Sequence, residues 1–135
     1  MGTMSEAYKK SLNAWARGDA EGMFADYADD IVWYPNRSMN PIRGKVAMRE
    51  FMAKFAKGMS DISYEQTHMV ESGNLLFVEG IENYTKKGKK ISVPYAGVVE
   101  FRDGKFVAWR DYFDLKSLEA ALARPDTVPA SPTGS

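Results

Sequence analysis

The apolar positions of this chain change period once, near Ile62. Before that point they recur at helical spacing; after it they alternate with polar residues. Tyr8, Leu12 and Trp15 fall at i, i+4 and i+7 and make one stripe of a first helix. Thr3-x-x-Glu6 supplies a capping box at its start, and Gly18 ends it. Asp19 caps a second, short helix carrying Met23, Phe24 and Tyr27, which Asp29 and Asp30 close. A strand follows over Ile31, Val32, Trp33 and Tyr34. Residues 35–44 (PNRSMNPIRG) read as a loop. A third helix is predicted over residues 45–57, with Met48, Phe51, Met52 and Phe55 on its buried stripe and Gly58 as its stop.

Beyond Ile62 the alternation predicts strands over residues 62–70, 75–85, 90–101 and 105–114. Gly73-Asn74, Lys87-Gly88 and Asp103-Gly104 are the turns between them; Asp-Gly is the strongest hairpin signal of the three. Asp114 caps a last helix with Leu115, Leu118 and Leu122 on one side, and Pro125 terminates it. Residues 125–135, rich in Pro, Ser, Thr and Ala, are expected to be a disordered tail after a single domain at 1–124. Helices first and a long antiparallel meander after them predict an α+β fold, with helices on one side of a curved sheet. A curled sheet closed by helices encloses a cone whose mouth is a natural ligand site.

Two strands carry a carboxylate inside an otherwise apolar face. In the last strand, Val107, Trp109, Asp111, Phe113 and Leu115 share one side. In the strand from Leu75, one side reads Leu76, Val78, Gly80, Glu82 and Tyr84. A carboxylate among large apolar groups loses hydration, so it must be paired or its pKa must rise. If both faces line one cavity, Asp111 and Glu82 separate in pKa, one serving as acid and the other as base. The competing reading pairs each with an arginine or lysine, or places it at a solvated strand end. Tyr34 and Asn36 offer a hydroxyl and an amide for a water or substrate oxygen; alternatively Tyr34 packs in the core and Asn36 caps a turn. His68 is a structural residue or a supporting partner of a carboxylate. Trp33, Val78, Trp109 and Phe113 are expected to form pocket walls and, with His68, to bind the substrate.

The totals narrow the partners. Eighteen basic and eighteen acidic residues cancel, which argues against nucleic acid or an anionic membrane. No cysteine is present and there is a single histidine, so thiolate and multi-histidine metal sites are excluded. No apolar run is long enough to span a bilayer. The expectation is a cytoplasmic protein with a small-molecule substrate, no metal and no cofactor. Seven Phe, seven Tyr, three Trp and eight Met suit a wide apolar cavity or an ordinary core.

The helix–helix–strand–helix–sheet order, with YADD before the first strand and AWRDYFDL at the last, resembles the nuclear-transport-factor-2-like superfamily. Within it, the chain is most similar to the SnoaL-like and limonene-1,2-epoxide hydrolase-like group, over about Ser5 to Ala123. The resemblance implies a cone-shaped, strongly bent antiparallel sheet with N-terminal helices, and a homodimer through the sheet's outer face. Epoxide hydrolases of that group use an Asp–Arg–Asp set with a tyrosine and an asparagine holding water. The resemblance carries these onto Asp111, Glu82, Tyr34 and Asn36, with Trp109 in the pocket. The arginine falls on Gly80, which cannot link two carboxylates; Arg37 or Arg43 would have to reach in from the loop. The general-base aspartate of ketosteroid isomerase would fall near Tyr34 or Pro35, where no carboxylate stands. The resemblance therefore points to a cofactor-independent acid–base enzyme of isomerase, cyclase or lyase type acting on a bulky apolar, cyclic or aromatic molecule. The alternatives are a divergent epoxide hydrolase and a non-catalytic binding or assembly module.

Overall fold

The structure, a computed structural model, describes residues 3–124. Within them the chain order is α1 (Thr3–Ala16), α2 (Ala20–Phe24), β1 (Tyr27–Tyr34), β2 (Ile42–Arg43), α3 (Lys45–Phe55), β3 (Met59–Ser72), β4 (Leu75–Lys86), β5 (Lys89–Arg102), β6 (Lys105–Tyr112) and α4 (Leu115–Ala123). The described strands form one strongly curved, unclosed sheet in the order β2-β1-β6-β5-β4-β3. This is the α+β cone expected from the sequence. The sheet is mixed rather than wholly antiparallel, because β1 runs parallel to β6. The other pairs are antiparallel. The expected tail and its Pro125 stop lie outside the described residues, as does the Thr3 side chain of the expected capping box.

Local signals explain most of the elements. Asp19 accepts from Gly22 N (2.9 Å) at the start of α2, and Asp114 accepts from Ser117 N (3.1 Å) at the start of α4. At the start of α1, Glu71 of β3 accepts from both Ser5 N (3.1 Å) and Ser5 Oγ (2.7 Å). A distant strand thus satisfies an orphan donor of that helix. The turns Lys87-Gly88 and Asp103-Gly104 place both central residues at positive φ, as a tight two-residue hairpin requires. The ammonium of Lys86 bonds the carbonyls of Phe55 and Lys57 and so holds the C-terminal end of α3.

Three details differ from expectation. Tyr27 opens β1 instead of continuing α2, and Asp29 and Asp30 are exposed strand residues. Tyr27 is pulled into the sheet by burial: its hydroxyl shares a 2.6 Å hydrogen bond with buried Ser11 and its ring lies 4.7 Å from that of Phe106. The loop after β1 contains β2, which pairs Trp33 with Ile42. In β6, Val107 is an extra residue between the pairs Glu100–Ala108 and Phe101–Phe106. This bulge turns Phe106 onto the core side with Trp109. Phe106 is fully buried and its ring stacks 5.5 Å from Trp109. Tyr8, Leu12, Met23, Phe24, Ile31 and Leu76 complete the core beneath α1 and α2. Full burial of each large side chain stabilises the fold by about 1.5–3 kcal/mol. A second cluster, Tyr84, Ile91 and Val93, lies under Phe113, Leu118 and Leu122 at the other end of the sheet. Between the two clusters the curved sheet leaves a cavity.

Candidate active site

The cavity has a volume of about 250 Å³. Strand alternation aims Trp33 of β1, Trp109 and Asp111 of β6, Glu82 of β4 and Tyr95 of β5 into it. Helices α1 and α3 contribute Tyr8, Met48 and Phe51, and α4 with its lead-in contributes Phe113 and Leu118. Asp111 and Glu82 therefore share one chamber.

Each carboxylate has a cleared place. Gly97 stands opposite Asp111 in the β5–β6 register. A Cβ there would lie 3.1 Å from Asp111 Oδ1, so glycine leaves room for the carboxylate to lie against the neighbouring strand. Trp109 Nε1 donates to Oδ1 (3.0 Å) and Trp33 Nε1 to Oδ2 (3.4 Å). Burial raises the Asp111 pKa to about 7; the two indole hydrogen bonds oppose the rise, and the charge of Glu82 adds to it. Glu82 faces Tyr64 across the β3–β4 pair and takes a hydrogen bond from its phenol. Burial again dominates and raises Glu82 to about 7, so the two carboxylates share a chamber without the expected separation in pKa.

A phenol stands over Gly80, the position onto which the resemblance carries an arginine. Gly80 is opposite Tyr95 in register, and a Cβ at Gly80 would press on the Tyr95 ring and collide with the Glu65 carbonyl oxygen. Tyr95 thus fills the space above Gly80. Its hydroxyl lies 2.8 Å from that of Tyr8. Burial, together with the fields of both carboxylates, pushes Tyr95 up to about 12 and leaves a net rise despite its hydrogen bonds to Tyr8 and Gln66. Burial, Tyr95 and Asp111 also raise Tyr8 well above the usual phenol range. Both phenols stay protonated at neutral pH. No lysine, arginine or histidine lines the cavity among the described residues.

The remaining candidates from the sequence sit elsewhere. Tyr34 is the strand neighbour of Trp33, so it points to the opposite face; its ring lies under the Arg37 guanidinium at 4.5 Å. Trp33, not Tyr34, is the β1 side chain that reaches Asp111. Asn36 is 4% exposed and spends its amide on structure: Nδ2 donates to the Phe113 carbonyl (2.8 Å), and Oδ1 accepts from Ser38 N (2.9 Å) and Ser38 Oγ (2.5 Å). With Arg37 N donating to the Asp111 carbonyl (2.7 Å), it stitches the loop to the strand that carries Asp111. Val78 is buried in the core beneath α1 rather than in the cavity wall. His68 is exposed on the outer face, where Nδ1 meets Glu79 Oε1 at 3.0 Å. Trp33, Trp109 and Phe113 do line the cavity. Tyr64 and Tyr95 are polar groups of the site that the sequence reading did not single out. The alternation Ile91, Val93, Tyr95, Gly97, Val99 carries the signal for Tyr95, the one hydroxyl on that face. Among the described residues no cluster of three or more His, Asp or Glu is arranged to hold a metal ion.

Residues 8–109 match the family model of the SnoaL-like domain. The chain belongs to the SnoaL-like domain family. Solved structures agree on the fold of this SnoaL-like domain. An NTF2-like protein of unknown function from Burkholderia pseudomallei superimposes with a TM-score of 0.80 at 21% identity, covering 92% of this chain and 100% of that one. A LEH-like epoxide hydrolase of M. tuberculosis superimposes with a TM-score of 0.76 at 24% identity, covering 89% of this chain and 92% of its own. No helix among the described residues of the SnoaL-like domain is long and apolar enough to cross a membrane.

Proposed function

We propose that this SnoaL-like domain is a general acid–base enzyme that needs no cofactor and acts on a mostly apolar, cyclic or aromatic small molecule by isomerisation, cyclisation or lyase-type cleavage. One observation carries the reading. Asp111 and Glu82 face the same aromatic cavity, and burial brings both to about pKa 7 with no basic side chain among the described residues lining it. Near neutral pH such a pair holds about one proton between its members. The ionised member takes a proton from substrate carbon or oxygen, and the protonated member returns one at a second atom. Trp33 and Trp109 fix the Asp111 carboxylate, and Phe113 with the two indoles walls in the substrate. The test is turnover of a panel of cyclic ketones and polyketide-like aromatics. Asp111→Asn is expected to lose roughly 10²–10⁴-fold in rate with its fold intact, and chelators should have no effect. Turnover that survives Asp111→Asn, or that requires an added metal, contradicts the proposal.

A second reading, water addition to an epoxide, is favoured by the same shared proton. The protonated carboxyl donates to the epoxide oxygen as the C–O bond breaks, while the carboxylate takes a proton from the attacking water. It predicts a diol with one oxygen from solvent. Absence of diol over a broad epoxide panel counts against it.

We propose further that the protein works as a homodimer through the outer face of the sheet. Val70 (59% exposed) stands directly opposite Phe77 (41%), and Tyr112 (44%) lies on the same sheet. Exposed apolar side chains on a sheet face suit a self-complementary contact.

A further inference from the structure

The cavity is unbalanced in charge. Glu82 and Asp111 lie within it and Glu119 of α4 stands exposed at its rim. No basic side chain among the described residues lines it. Its walls are electron-rich: Trp33, Trp109, Tyr8, Tyr95, Phe51 and Phe113 all border the space. Aromatic faces and carboxylates around an apolar chamber attract the same kind of ligand from two directions, one through ring quadrupoles and one through charge. An anionic ligand would meet two carboxylates and no donor cation. A neutral ligand would leave the imbalance in place.

We infer that this cavity binds an organic cation, an apolar amine or quaternary ammonium compound, with its charged nitrogen toward Asp111 and Glu82 and its apolar body against the indole and phenyl rings. This goes beyond the acid–base reading, since it needs the charge and the rings but no proton transfer to the ligand. It supplies the counter-charge that the cavity lacks. Glu119 at the mouth draws the same cation inward.

Binding is coupled to protons. The titratable groups facing the chamber are Tyr8 from α1, Tyr64 from β3, Glu82 and Tyr84 from β4, Tyr95 from β5, Asp111 from β6 and Glu119 from α4; β1 and α3 contribute none. Burial raises the four phenols, which therefore stay neutral. The carboxylates within the chamber titrate near 7. A bound cation favours their ionised forms, so it expels a proton, and its affinity falls as pH drops below that value.

The experiment is calorimetry on the full chain with three probes. Benzyltrimethylammonium keeps its charge at every pH, so only the protein titrates. 2-Methyl-1-phenylpropan-2-ol has nearly the same shape without charge, and phenylacetate carries the opposite charge. The cation is expected to bind at least tenfold tighter than either competitor at pH 8. Its affinity should drop about tenfold between pH 8 and pH 6, and its binding heat should depend on the ionisation heat of the buffer. Asp111→Asn and Glu82→Gln should each weaken the cation at least tenfold more than the alcohol. The probe comparison in the parent protein needs no variant, so a variant that unfolds does not spare the inference. Equal or tighter binding of the alcohol or of phenylacetate overturns it, as does cation binding that is absent or flat in pH. Such a result leaves the turnover test of Asp111→Asn standing, so the two readings fail separately.

Discussion

Asp111 keeps its proton to about pH 7 because burial strips water from the carboxylate and two indole N–H groups replace it in part. In the unfolded chain the same group ionises near 4. Below pH 4 both states are protonated and Asp111 is neutral to stability. Between 4 and 7 the native state holds a proton that the unfolded state releases, so stability falls as pH rises. Above 7 the full penalty is present. Asp111→Asn removes it. The variant is expected to be more stable than the parent at pH 8, by about 2–4 kcal/mol, with the gain vanishing by pH 4; urea denaturation at both pH values checks this. A variant less stable than the parent at pH 8 would mean that Asp111 is held by a structural partner. Asp111 and Glu82 were legible in the sequence because each interrupts an apolar strand face. Tyr34 lies outside the cavity because Trp33 occupies the inward position, and adjacent strand residues cannot both face it. The bond of Asn36 to the Phe113 carbonyl was not legible in the sequence, because the two lie 77 positions apart.

At the scale of elements, the site is held by strand crossings and one loop. Gly80 and Gly97 stand opposite Tyr95 and Asp111, so β4 and β5 each give up a side chain to seat a polar group of the next strand. A methyl group at Gly80 meets backbone, which cannot swing aside. Gly80→Ala is expected to destabilise by about 1–3 kcal/mol and to displace Tyr95, seen as a changed Tyr95 ring environment by NMR. Gly97→Ala meets the Asp111 carboxylate instead and should disturb the site more than the fold, shifting the Asp111 midpoint and lowering the activity at little cost in melting temperature. Asn36→Ala leaves the half-buried Phe113 carbonyl without its donor. A loss of about 1–3 kcal/mol in chemical denaturation is expected, with intact cooperativity. Helices and hairpins were legible because caps and turn residues are local: Asp19, Asp114 and Asp103-Gly104 each act within a few residues. The β6 bulge, the two-residue β2 and the parallel β1–β6 pair were not, because long-range pairing decides them.

For the whole molecule, the curved sheet and the three helix-bearing segments across it enclose a chamber that is apolar, acidic and without a basic lining residue among those described. The outer face of the same sheet carries Val70, Phe77 and Tyr112. Light scattering is expected to give the mass of a dimer for the parent and of a monomer for Phe77→Lys; a monomeric parent would refute the proposed dimer. The cone was legible from the order of elements and the AWRDYFDL run, whereas the chamber's polar centre depends on Tyr8, Tyr64 and Tyr95 arriving from three separate elements. Two carboxylates that titrate near pH 7 stand inside that chamber. The most direct test is a carbon-13 NMR titration of the Asp111 and Glu82 carboxyl carbons in the parent and in each single amide variant. Both should titrate near pH 7, and Glu82→Gln should lower the Asp111 midpoint while leaving it above the ordinary aspartate range. Midpoints near 4 for both groups would contradict the account.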